Sequence, residues 1–188
     1  MILRAAVVAL AADLSFAIGI VVGALLGQLI GTAFNFLVRS GRSLVSTLLQ
    51  GITLGFVSGL AAIGVSIWLG RYLGLPNAWS LWLALVPPAI GEFGYWLNRF
   101  SLCHLGRPNK GIFMPLGRVH AAAWEFFKTP TFHYYRHVLN VENGESPDSD
   151  KYGRAAYQKT LEDLARAVVG MVGGVGLALW FVARIASG

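Results

Sequence analysis

Between Asp13 and Arg39 run twenty-five residues without a charge, and glycine recurs among them at every fourth position: Gly19, Gly23, Gly27 and Gly31. Positions four apart lie on one ridge of a helix, and glycine there leaves a groove free of side chains. In lipid no hydrophobic gain draws helices together, so such grooves act by letting backbones approach and gain dispersion contacts. Ser15 and Asn35 continue the ridge at its two ends. A second apolar run repeats the spacing at Thr47, Gly51, Gly55 and Gly59, and a third carries Gly170, Gly173, Gly174 and Gly176 less regularly. The pattern predicts helices packed tightly inside a membrane.

Composition agrees. Of the 188 residues 55% are hydrophobic and 13% charged, with mean hydropathy +0.60, whereas a soluble domain carries about 25% charged residues. A bilayer core needs about 20 apolar residues per helix. Four segments meet that length, at 14–38, 44–69, 79–97 and 164–186. The expected fold is therefore all-α and polytopic. Residues 1–97 hold three transmembrane helices, 98–163 form a basic, aromatic loop, and 164–188 hold the fourth helix. Arg4 and the short apolar stretch after it resemble a signal peptide, but the run continues unbroken to Val38, so residues 1–38 are expected to be kept.

Four spans put residues 39–43 and 98–163 on one side, and both termini with 70–78 on the other. Arg39, Arg42 and nine basic residues from Arg99 to Lys159 lie on the first side; Arg4, Arg71 and Arg184 lie on the second. Lys and Arg favour the cytoplasm, so both termini are expected to be periplasmic in a bacterial inner membrane. The net charge of +6 has its explanation there rather than in nucleic-acid binding.

Polar groups within spans are the natural candidate sites. Glu92 follows Pro87 and Pro88 in the third span, and pairing with Arg99, seven residues on, is the expected arrangement. Asp13 is placed near the outer end of span one, where it can pair with Arg71 on the same side or serve only as an interfacial cap. Gln28, Asn35 and Gln50 are expected to hydrogen-bond between helices. In the loop, Arg99, Arg107, Lys110, Arg118, Lys128 and Arg136 interleave with aromatics, Trp124 among them, a combination suited to anionic lipid headgroups or a partner protein. Leu116, Val119, Ala123 and Phe127 recur at helical spacing and predict an in-plane amphipathic helix. A second helix is expected from Thr129 to about Val141, where His133 and His137 share a face. Two imidazoles fall short of the four ligands of structural zinc, so no cofactor is expected, and lone Cys103 offers no disulfide.

Walker A, zincin and nucleophile-elbow motifs are absent. The sequence thus reads as a non-catalytic subunit of a membrane assembly, of the secretion, conjugation or energy-coupling kind. Its partners would be other membrane subunits or copies of itself. The rivals are a homo-oligomeric channel or transporter using Glu92, and a metalloprotein using the loop histidines.

Overall fold

A computed structural model describes residues 1–38, 44–105, 114–127 and 151–187. These form five helices: α1 (Ile2–Val38), α2 (Leu44–Tyr72), α3 (Asn77–Leu105), α4 (Met114–Phe127) and α5 (Lys151–Ser187). No strand occurs among the described residues. Three stretches are long and apolar enough to cross a membrane: α1, α2 and Val168–Ser187 of α5. The chain therefore has the helices of an integral membrane protein. The expected span at 79–97 lies inside α3, where Pro87, Pro88, Glu92 and several indoles leave the helix less apolar than the other three.

The helices divide into two compact units, one of Met1–Ala89 with Arg166–Gly188 and the other of Ile90–Ala165. The boundary in α3 falls just after Pro87 and Pro88, which have no N–H to give to the helix.

In the first unit, α1 and α2 run antiparallel. A Cβ placed on Gly19 would lie 2.5 Å from the Ser58 Cα, one on Gly23 2.9 Å from the Leu54 Cα, and one on Gly27 2.8 Å from the Gln50 carbonyl oxygen. At Gly31 it would strike Gln50 and Ser46, and the Ser46 hydroxyl donates to the Gly31 carbonyl at 3.2 Å. The α1 glycines thus face the α2 ridge Ser46–Gln50–Leu54–Ser58, not the Gly51–Gly55–Gly59 ridge. That second ridge meets α5: Gly51 lies on Gly170, Gly55 on Met171 and Gly174, and Gly59 on Val175 and Ala178. Successive residues of a helix point about 100° apart, so α2 presents neighbouring ridges to two different helices. Near the far end of α2, Ile63 packs with Ala84 and Ala178, and Phe56, Leu60, Leu81 and Val182 surround them. The large residues Leu10, Leu14, Ile18, Leu25 and Leu29 of α1 face outward.

The α2–α3 turn has a definite cause. Gly74 adopts φ 71°, the left-handed conformation that glycine takes without penalty. Gly74 N–H then donates to the Arg71 carbonyl at 3.1 Å and Leu75 N–H to Gly70 at 2.8 Å, which closes the helix with the paired bonds of a Schellman cap. Arg4 Nη1 donates to the Leu73 carbonyl at 2.9 Å, tying the start of α1 to this turn.

Two readings change in this unit, the cap alternative for Asp13 and the seam position of Gln28. Asp13 is no interfacial cap: α1 begins at Ile2, and Asp13 is only 2% exposed inside it. Gln28 is not in a helix seam but on the exposed side of α1, one residue past the ridge at Gly27. Gln50 occupies the seam instead, and Asn35 is half-buried.

Candidate functional site

The second unit brings α4 against the later part of α3. A Cβ on Gly117 would lie 2.9 Å from the backbone at Gly94 and Tyr95, and one on Gly91 would strike the His120 ring. Both glycines are needed for this closeness: one admits a helix backbone and the other an imidazole edge. The step from Gly117 forward to His120 along α4 is matched by the step from Gly94 back to Gly91 along α3, so the helices cross antiparallel.

That crossing closes around Glu92. His120 Nδ1 lies 2.8 Å from Glu92 Oε1, Trp124 Nε1 donates to the same oxygen at 3.0 Å, and Trp96 Nε1 donates to Oε2 at 3.0 Å. One carboxyl group therefore gathers the His120 Nδ1 and two indole N–H groups from two helices. His120 is fully buried, Trp124 is 6% exposed and Glu92 9%. The indoles form a packed cluster: Tyr95 stacks on Trp124 with centroids 6.1 Å apart and planes 11° apart, while Trp96 meets both edge-on. Such pairs add stabilisation beyond the area they bury.

The arrangement reduces to two i, i+4 pairs facing each other. Glu92 and Trp96 share a face of α3, and His120 and Trp124 share a face of α4. A buried carboxylate is costly unless it is paired and hydrogen-bonded, and bonds to a charged acceptor are the stronger kind. His120 Nε2 lies on the Gly91 side, inside the α3–α4 contact. The imidazole is thus enclosed between the two helices. This geometry fastens α4 to α3.

Glu92 is held by His120, Trp96 and Trp124; its expected pairing with Arg99 falls outside the described residues, because the Arg99 side chain is not among them. Trp124, expected to meet lipid or a partner, instead turns inward to the carboxylate, because α4 packs through Gly117, His120, Ala123 and Trp124. Leu116 and Val119 of the expected apolar stripe are half-buried, and Arg118 is exposed. Arg107, Lys110, Lys128, Arg136 and the His133–His137 pair lie outside the described residues, as does the helix expected from Thr129. Among the described residues no group of three His, Cys, Asp or Glu side chains assembles for a metal. Sequence reasoning singled out Glu92 but missed its partners; the His120–Trp124 spacing, matching Glu92–Trp96, was the available signal.

No protein family, curated protein or solved structure matches this chain.

Proposed function

We propose that the chain is a four-span, non-catalytic subunit of a larger inner-membrane assembly, of the secretion, conjugation or energy-coupling kind. The observation that supports this most is the pairing of α2 with α5. Gly51 meets Gly170, and eight residues on Gly59 meets Val175 and Ala178, so the two helices run parallel. Parallel spans require the chain between them to recross the bilayer an odd number of times. In lipid that crossing has to be helical, and α3 is the described helix long enough to make it. The bond from Arg4 to Leu73 agrees with the N-terminus and the α2–α3 turn sharing a side. The surplus of Lys and Arg in 39–43 and 98–163 makes the opposite side cytoplasmic and both termini periplasmic.

Glycine-zipper packing is then internal to the bundle, since the chain's own helices occupy both ridges of α2. Partners would be met elsewhere, by the basic cytoplasmic segment and the outward apolar face of α1. Glu92 holds α4 in place with all three partners engaged, which favours a scaffold over a carrier that must release its carboxylate at each cycle. Native mass spectrometry of the tagged chain, extracted from its own membranes in mild detergent, tests the reading. Foreign subunits at fixed stoichiometry are expected. The chain alone, or with copies of itself only, overturns it and returns weight to a homo-oligomeric channel.

A further inference from the structure

Helix α1 carries a second ridge that its own bundle leaves open. Ile18, Val21, Leu25, Gln28, Thr32 and Asn35 follow one another at alternating steps of three and four, the spacing of a coiled-coil seam. Ile18, Leu25, Gln28 and Thr32 are exposed, and Val21 and Asn35 are half-buried. Gln28 stands one residue, about 100°, past Gly27, so this ridge turns away from the glycines that meet α2.

Apolar side chains on such a face suit lipid, but amides do not. Gln28 lies two residues past the middle of the charge-free stretch 14–38, near the centre of the bilayer. No water reaches that depth, and an amide left unbonded in hydrocarbon is costly. Asn35, two turns further along the ridge, has a side-chain oxygen without a hydrogen-bond partner. Gln50 of α2 is sheltered by contrast, set in the α1–α2 seam against Gly27 and Gly31. The bundle thus encloses one mid-membrane amide and turns another towards lipid. Between membrane helices such amides hydrogen-bond across the contact, and a polar residue in a coiled-coil seam fixes register and partner number.

The ridge is complementary to itself. It carries no charge, and copies of one chain insert with one topology, so two of them bring their α1 helices together parallel. Equivalent residues then face each other across a two-fold axis. An amide holds both donors and an acceptor, so two glutamines at the same depth satisfy one another. A foreign helix would need its own amide at that level, whereas a second copy supplies it by identity. We propose that this ridge joins two copies of the chain as a parallel pair, with Gln28 hydrogen-bonded to its counterpart near the bilayer centre. The inference rests on α1 crossing the membrane and not on which other subunits the chain meets.

Oxidative cross-linking of the full chain in its own membranes tests the pairing, with single cysteines in a Cys103→Ser background. Val21→Cys, Leu25→Cys and Thr32→Cys report the ridge; Leu26→Cys, Ile30→Cys and Ala33→Cys report exposed positions on another side of α1. A species of twice the chain's mass is expected from the first set and not from the second. Equal yields from both sets, or no dimer from either, overturn the proposal. So does an adduct of another mass, which would put a foreign helix on the ridge. Energy transfer between labelled copies of the purified chain, diluted in lipid vesicles, then tests the amide. Gln28→Leu alters an exposed position and should leave the bundle folded by circular dichroism. It should weaken association about 3- to 20-fold, the worth of one hydrogen bond between membrane helices. Association unchanged in Gln28→Leu overturns the glutamine pair. No foreign subunit enters the vesicles, so failure here leaves the assembly reading untouched.

Discussion

Glu92 ties two helices through three hydrogen bonds, and each bond can be removed separately. Trp124→Phe keeps an aromatic ring against Tyr95 but deletes the indole N–H that reaches Oε1 at 3.0 Å. Bonds to a charged group contribute about 1.5–3 kcal/mol, so this variant should lose roughly that amount in chemical unfolding followed in detergent. His120→Ala should cost more, because it also leaves a cavity in a fully buried position. A double-mutant cycle of Glu92→Gln with Trp124→Phe should give a coupling of about 0.5–3 kcal/mol. Additive effects would show that the carboxylate and indole do not act together. At this scale the sequence was only half informative. Glu92 stood out because a charge among apolar residues is conspicuous, and Asp13 was noticed but set at the membrane edge. A charge announces itself in a sequence; the groups that bind it do not, because His120 and Trp124 are distant from it in sequence and nothing in their type marks them as its partners.

For the helices, spacing told which positions are close-packed but not against what. The α1 glycines meet Ser46, Gln50, Leu54 and Ser58, a ridge containing an amide and a leucine that no search for small residues would select. Glycine on one helix suffices for close approach, so its partner ridge need not carry the same signature. The glycines that matter should separate cleanly from those that do not. A Cβ at Gly174 would strike the backbone around Ile52 and Phe56, whereas Gly64 and Gly176 open onto space. Gly174→Leu and Gly19→Leu should therefore destabilise the bundle by the 1–3 kcal/mol of an overpacked core or more. Gly64→Leu and Gly176→Leu should stay near wild type. Unfolding in mixed micelles makes the comparison, and similar losses at all four positions would contradict these seams.

On the scale of the whole molecule, the spans read from hydropathy coincide with α1, α2 and the apolar part of α5, while α3 is a helix of mixed character. Prolines, indoles and an acid lower its hydropathy without preventing a helix, which is why length and apolarity alone describe it poorly. The crossing number can be measured directly. In a Cys103→Ser background, cysteines at Ser40 and Ser146 should react with an impermeant maleimide from the cytoplasmic side, and cysteines at Asn77 and Ser187 from the periplasmic side. Labelling of Ser146→Cys and Asn77→Cys from the same side would remove α3 from the membrane.

The two ridges of α2 also set a timetable for biosynthesis. The surface that receives α1 finds its partner already made, since α1 precedes α2 in the chain. The surface that receives α5 has to wait, because Gly170 leaves the ribosome more than a hundred residues after Gly59. At about 5–20 residues per second, that is an interval of roughly 5–20 s during which a glycine-lined face stands open in the bilayer. Any other nascent helix can compete for it in that time, and a chaperone of membrane insertion would find its task there.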